Sequence, residues 1–490
     1  MSESESFAVE NPESAFFVTR WMAVLPLLFM IAPVVALSFY GVLSSEVLVA
    51  SGICGLALGS LLSRRKAEYW DVVVRSLTDT TGLIVFGLFL LVGIYGELLT
   101  SANLTEGIVW LSQQLNVGPA LFTLFVYVIC SILGTAMGTS LGIVLIMTPI
   151  MYPAAVGLGV HPMFAAGAIL SGAATGDHLA PVSDTTIISS ITQRYKNRSG
   201  SADISGVVRA RLAYVIPAFL IACVLYAIVG GASGGEPVAG VTAAFDGASG
   251  LGLLMVIPMA VVVAVAISKR TIFEALTYGI LAGIAVGLLF DLIRPADLFR
   301  IEGRSAKGIL IEGAIANVDT IVMIVLLMGT YGILRAYGLL DRVIGSLQTA
   351  LGHSPRGVEL TMFGFAWLLS FVLIGLVGRL TVIAGPVLSA LGQTQNLHPY
   401  RRANILDAVV NSFSFIVPWH VWPILMILQI RPLADANPLI AVPAASDFFQ
   451  ATYYPLAIWA VMLFAIVSGY GRKFEGPNGD VVATKPQANR

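Results

Sequence analysis

The sequence predicts an all-α polytopic membrane protein of two inverted-topology repeats, each with a re-entrant or hairpin segment and one broken transmembrane helix, with about 10–14 membrane helices in all. Three observations lead there. Hydrophobic residues make up 57% of the 490 and charged residues only 11%, and the mean hydropathy of +0.87 lies far outside the range of soluble domains. Apolar runs of about 20 residues, each long enough to cross a hydrocarbon core of about 30 Å as a helix, recur from end to end. Short motifs of the first half also return in the second at a nearly constant interval, the signature of a duplicated unit.

Taken in order, the polar and acidic residues 1–20 read as a cytoplasmic N-terminal tail. With no basic n-region ahead of Trp21, the first apolar helix is expected to serve as its own uncleaved signal. Candidate spans follow at 21–43, 46–62, 80–98, 120–133, 138–158, 163–192 (interrupted) and 211–230, which make a first repeat over 21–235. A second set at 250–268, 271–292, 319–339, 358–377, 380–391, 402–429 (interrupted) and 454–470 makes a second repeat over 250–472, and 473–490 reads as a cytoplasmic C-terminal tail. The two interruptions rest on Pro181 and Pro418, because a proline disfavours helix at the residue before it and removes a backbone donor. Cys54, Cys130 and Cys223 are odd in number, fall in apolar stretches and lack ligand spacing, so they read as small buried hydrophobes rather than bridges or metal ligands. A net charge of −1 offers no basic face for nucleic acid.

The duplication is read from anchors. Pro149-Ile150 returns as Pro386-Val387, His161-Pro162 as His398-Pro399 and Pro181 as Pro418, all at one offset (386 − 149 = 398 − 161 = 418 − 181 = 237). The basic residues then set the orientation of each copy. Arg64, Arg65, Lys66, Arg75, Arg194, Lys196, Arg198, Lys269, Arg270, Arg401, Arg402, Arg472 and Lys473 can all be cytoplasmic if both termini are inside. The turn at His161-Pro162 is then outside and its equivalent at His398-Pro399 inside, which inverts the second copy. The loop 293–308, with Arg294, Arg300, Arg304 and Lys307, is the discordant one.

Inverted repeats are the architecture of secondary transporters, whose solutes and coupling ions bind near the midplane at interrupted helices. Both interrupted segments here carry the most polar intramembrane residues. Charged groups at bilayer depth cost about 2.5–3.5 kcal/mol on insertion scales, so they mark function by default. Asp177 and Asp184 flank Pro181, with Ser183, Thr185 and Thr186 as hydroxyl donors of oxygen ligands. Desolvation favours a protonated carboxylate and a bound cation favours the ionised one, so one group can hold either H+ or Na+ but not both. Na+ is a hard cation, and Asp177 and Asp184 are its expected ligands, together with hydroxyls and freed carbonyls. In the second segment Asp407 and Asn411, four residues apart, share one helix face and form a second ion- or proton-binding spot. His178, His420, Arg379 and Thr139 are candidates for solute contact or proton relay; Arg379 is placed in an expected break at 378–381. Capping by Asp184, backbone-bonded histidines and a water-facing Arg379 are the competing structural readings.

Gly176-Asp177, three residues, then Pro181-Val-Ser-Asp-Thr-Thr186, preceded by Ala166-Gly-Ala-Ile-Leu-Ser-Gly172, resembles the signature of the NhaC family of Na+/H+ antiporters, within the wider ion transporter superfamily. Leu406-Asp407, ten residues, then Pro418-Trp419 resembles that family's second-half motif. The motifs cover roughly 134–193 and 375–429. The resemblance implies a secondary active transporter exchanging Na+ for H+, with no enzymatic activity and no cofactor, in the inner (plasma) membrane with both termini cytoplasmic. Na+, H+ and the lipid bilayer are the implied partners, and a homodimer is compatible with the chain. The sequence departs from the family pattern at His178, where a lysine is common, and at Trp419-His420. Because the superfamily also holds carriers of organic acids, a Na+-coupled symporter or exchanger of a small organic anion, such as malate or lactate, is the alternative. An intramembrane aspartyl protease fits poorly, since no Pro-Ala-Leu element follows the aspartates. A channel would need a continuous polar lining that few helix faces here supply.

Overall fold

The computed structural model describes residues 16–17, 19–38, 45–77, 80–115, 117–181, 183–232, 249–269, 272–316, 318–337, 354–372, 377–437 and 440–485. The expected N-terminal tail therefore lies almost wholly outside the described residues. The chain is mostly helical. Its first half runs through α1 (Leu25–Ser38), α2 (Ser45–Leu62), α3 (Lys66–Leu77), α4 (Thr80–Ser101), α5 (Leu104–Gln114), α6 (Pro119–Met137), α7 (Ser140–Gly157), α8 (Pro162–Leu179), α9 (Asp184–Ile191) and α10 (Ile204–Ala232). The second half runs through α11 (Val256–Lys269), α12 (Ile272–Leu289), α13 (Ile309–Ile315), α14 (Val318–Ala336), α15 (Pro355–Val372), α16 (Val377–Gln393), α17 (Pro399–Ile416), α18 (Val421–Ala436) and α19 (Tyr453–Ser468). Two small hairpins, β1–β2 (Arg300–Glu302, Ser305–Lys307) and β3–β4 (Phe474–Glu475, Val481–Val482), are the strands among the described residues.

Among the described residues three helices are long and apolar enough to cross a membrane alone, α6, α7 and α10, and up to five spans result if each bent pair of helices is one span. One such pair is α17 with α18, bent by 40°. The sequence motifs recur as structure. Helices α7, α8 and α9 have counterparts α16, α17 and α18 whose first residues share one offset (377 − 140 = 399 − 162 = 421 − 184 = 237). His161 and His398 cap α8 and α17 alike: in each, Nδ1 accepts the backbone N–H two residues on, from Met163 at 3.4 Å and from Tyr400 at 3.2 Å. Proline follows at the first helical position, where no intrahelical partner is needed. Both helices stop on an extended residue ahead of proline, Ala180 (φ −75°, ψ 120°) and Val417 (φ −77°, ψ 121°). Packing partners exchange in the same way: α3 lies on α14 and α13 on α4, α9 on α16 and α18 on α7, α10 on α17 and α19 on α8.

One expected break is absent. Gly378-Arg379 interrupts the apolar run in sequence, yet both lie in the first turn of α16, which is helical from Val377. Cys54 is exposed on α2 rather than buried, while Cys130 is buried against α8.

The helices α6 and α8 cross where both lack a side chain. A Cβ on Gly176 would stand 2.4 Å from Gly134 Cα and 2.7 Å from Thr135 N, backbone that cannot yield. Small residues permit such close approach in membranes, where packing rather than hydrophobic burial holds helices together. Gly176→Ala is expected to cost about 1–3 kcal/mol by overpacking. Thermal unfolding in detergent reads it; an unchanged melting temperature would refute the close crossing.

The C-terminal residues fold back as a hairpin. Its Glu475 is buried and accepts the backbone N–H groups of Lys196 (2.8 Å) and Asn197 (2.6 Å), while Arg402 Nη2 stands 3.9 Å away. His398 N–H donates to Lys473 O at 2.9 Å, and Phe474 bridges Leu397. Burial, with the neighbouring Arg402 and Arg198 in the same sense, pushes the His398 imidazole down from 6.5 to about 4. The folded protein thus prefers the neutral ring, which alone can accept at Nδ1. That contribution is complete above about pH 6.5 and is lost as pH falls from there toward 4. His398→Asn keeps a capping acceptor, so its melting temperature should fall less than that of the wild type between pH 7.5 and 5; equal slopes would exclude His398 as a source.

Candidate functional site

The interruption between α8 and α9 exposes backbone and gathers side chains. Ala180 closes α8 through its N–H to Gly176 O at 2.9 Å, and Ser183 is the N-cap residue of α9. Asp177 lies in the last turn of α8, buried to 3% exposure. Its Oδ1 accepts the Ser183 hydroxyl, and its Oδ2 accepts Asn411 Nδ2 from α17 at 3.0 Å. Ser183 Oγ is 3.0 Å from Thr185 Oγ1, and the Thr186 hydroxyl points at Asp177 O from 3.5 Å. The two polar spots read from the sequence therefore meet: one segment provides the carboxylate, the other an amide that hydrogen-bonds it.

Asp184 begins α9, and its side chain lies outside the described residues, as does that of Arg379. Thr139 caps α7 by accepting Gly142 N–H at 3.4 Å and makes no described contact with Asp177. His420 is the N-cap residue of α18, fully buried, with neither ring nitrogen hydrogen-bonded among the described residues. No group of three or more His, Cys, Asp or Glu among the described residues could hold a metal ion.

His178 is braced on both sides. Its Nε2 lies 3.3 Å from Asp407 O, a carbonyl that can only accept, so Nε2 carries the proton. Nδ1 lies 3.0 Å from the hydroxyl of Tyr454 on α19. The ring thus links α8, α17 and α19.

Asp407 has a partner that sequence reasoning missed. Arg211 of α10, 2% exposed, places Nη1 2.7 Å from Asp407 Oδ2, an ion pair at contact distance whose angle makes no hydrogen bond. Nη1 also donates to Thr186 Oγ1 (2.7 Å) and His178 O (2.9 Å), and Nε donates to Asn404 Oδ1 (2.9 Å). Thr186 therefore touches both the arginine and the Asp177 backbone. The guanidinium takes up a carbonyl at the end of α8, where the helix dipole favours positive charge. Four polar atoms here have no hydrogen-bond partner among the described residues: Asp407 Oδ2, which has only the ion pair, and Arg211 Nη2, Asp407 Oδ1 and Asn411 Oδ1. The missed signal is length. Helix α10 begins at Ile204, seven residues ahead of Arg211, which places the arginine about 10 Å inside it rather than at the end of a span.

An apolar helical chain that gathers a carboxylate, an ion pair, amides and hydroxyls inside its packing belongs to the class of membrane transporters. Residues 13–230 match the Na+/H+ antiporter family. The malate-2H(+)/Na(+)-lactate antiporter of Bacillus subtilis is 28% identical over 373 residues, 73% of this chain and 74% of that protein. The Na(+)/H(+) antiporter NhaC of Alkalihalophilus pseudofirmus is 26% identical over 49% of this chain, which spans 53% of that protein. The arginine/ornithine antiporter ArcD of Halobacterium salinarum is 27% identical over 63% of this chain and 66% of its own length. The family match and these relatives make the chain similar to Na+/H+ antiporters of the NhaC type, and support a secondary transporter rather than an enzyme.

Proposed function

We propose that the protein exchanges Na+ for H+ across the plasma membrane, with Asp177 as the group that holds one or the other. The observation that carries this is the hydrogen bond from Asn411 to Asp177, which joins the interruption of the first copy to the helix preceding that of the second. Asp177 presents a carboxylate with hydroxyls of Ser183, Thr185 and Thr186 close by, the oxygen-rich surroundings a hard cation needs. Asp184, at the start of α9, is a further ligand in this reading. The exchanged packing partners and the shared offset of 237 support two copies related by an inverted pseudo-twofold, with both termini cytoplasmic and the interrupted helices near the midplane. Rocking of one bundle against the other would then turn the same Asp177 toward either face.

A second reading adds a small organic anion. It is favoured by Arg211, a fixed cation that a pure cation carrier would not need beside its site. Two relatives are named for solutes that carry a carboxylate, malate and lactate in one and arginine and ornithine in the other.

The test is direct. In everted vesicles holding a preformed pH gradient, added Na+ should collapse the gradient, and the protein-free control should not respond. No collapse with Na+, Li+ or K+ would overturn cation/proton exchange.

A further inference from the structure

Resting on the reading that the Asp177 region is the solute site, we propose that Arg211 anchors the carboxylate of a small organic anion and that Asp407 is the internal carboxylate it gives up to do so.

The geometry of the pair is half complete. Arginine and a carboxylate match as a fork of two parallel bonds, which is the strong form of this interaction. Here only Nη1 meets only Oδ2. The second terminal nitrogen of Arg211 and the second oxygen of Asp407 are both buried and unpartnered among the described residues. Asn411 Oδ1, one helical turn from Asp407, is a third orphan. An unmet donor on a guanidinium beside unmet acceptors suits a hydroxy acid, whose carboxylate accepts from Nη2 and whose hydroxyl donates to Asn411 or Asp407. Each orphan otherwise costs the desolvation of a polar group.

Charge decides how the exchange is driven. With Asp407 ionised, the pair is neutral as a unit. An anion added to it would leave a buried negative charge unpaired, which is strongly unfavourable. If Asp407 takes a proton on Oδ1 as the anion arrives, guanidinium and solute carboxylate form the neutral pair instead. Proton and anion must therefore enter together.

Among the described carboxylates named around it, Asp407 is the one with an oxygen that makes no hydrogen bond. From α8, His178 has both ring nitrogens engaged, and Asp177 has both oxygens hydrogen-bonded and keeps its own exchanging role; from α18, His420 has neither ring nitrogen hydrogen-bonded among the described residues. From α19, Tyr454 is hydrogen-bonded to His178. From α15, Glu359 is spent on Arg401 and Arg472.

The experiment uses the purified full-length protein. Calorimetric binding of L-lactate and of malate in buffers of different ionisation enthalpy should show uptake of one proton per carboxylate bound near pH 7. Arg211→Gln should weaken carboxylate binding at least tenfold, while Asp407→Asn should bind without proton uptake and with little pH dependence. If Na+ collapses a pH gradient but neither carboxylate binds, the anchor is overturned and cation/proton exchange stands. Carboxylate binding by the wild type without proton uptake, or by Asp407→Asn with unchanged uptake, overturns the role of Asp407. Should Asp407→Asn fail to fold, Asp177→Asn decides in its place: proton uptake that persists leaves Asp407 as the acceptor, and uptake that disappears overturns its role. If neither Na+ nor a carboxylate elicits any response, the reading of the site itself fails.

Discussion

Asp177→Asn is expected to reduce Na+-driven collapse of a pH gradient in everted vesicles to the level of vesicles without the protein, with the variant still inserted and monodisperse in detergent. The substitution preserves shape and removes the charge. Its Oδ1 can still accept the Ser183 hydroxyl, but its amide nitrogen would face Asn411 Nδ2, donor against donor. Asn411 can resolve that conflict by rotating its amide, because its Oδ1 has no partner among the described residues. The scaffold therefore tolerates the change, and what disappears is the group that can be either protonated or bound to a cation. Flux equal to wild type would remove Asp177 from the exchange. A variant that inserts but unfolds would show instead that the Ser183 and Asn411 bonds are primarily structural.

The largest expected loss of stability lies elsewhere, at Glu359→Ala. Glu359 and Arg401 are both fully buried, with Arg401 Nε donating to Oε1 at 2.8 Å. Arg472 donates to Oε2 through Nε at 2.9 Å and Nη2 at 2.7 Å, and Arg401 Nη1 reaches the Tyr214 hydroxyl at 2.6 Å. Removing the carboxylate leaves two guanidinium groups without their counter-charge, one of them wholly out of water. Breaking one partner of a buried pair costs about 3–5 kcal/mol. Thermal unfolding in detergent should drop by many degrees, and Glu359→Gln, which keeps an acceptor but not the charge, should fall between. A melting temperature within a degree of wild type would mean that solvent reaches Arg401.

What could be read from the chain and what could not divide along physical lines. The interruptions at Pro181 and Pro418 were legible because proline acts on its own neighbours, whatever packs around them. The matching helix caps and stops were legible for the same reason, since His-Pro caps and proline stops are local and return at one offset. Asp177 and Asn411 were both singled out, but their meeting depends on how α17 packs on α8. Arg211 and Glu359 were passed over because a charge near the end of an apolar run is by default in water. Only the helix that extends past Arg211, and the arginines that converge on Glu359, make them interior. At Gly378-Arg379 the error ran the other way: a glycine and a charge suggest a break, and packing of α16 on α17 and α9 overrides that weak preference.

The C-terminal hairpin sets an order of events during synthesis. Glu475 closes on Lys196 and Asn197 at sequence separations of 279 and 278, so these two amides of the loop leaving α9 lack this partner until Glu475 has left the ribosome. Domains normally consolidate from the N-terminus as they emerge. Here the loop after α9 waits for the hairpin that carries Glu475, and a fusion or truncation placed before Glu475 would leave its damage in a part of the protein made long before.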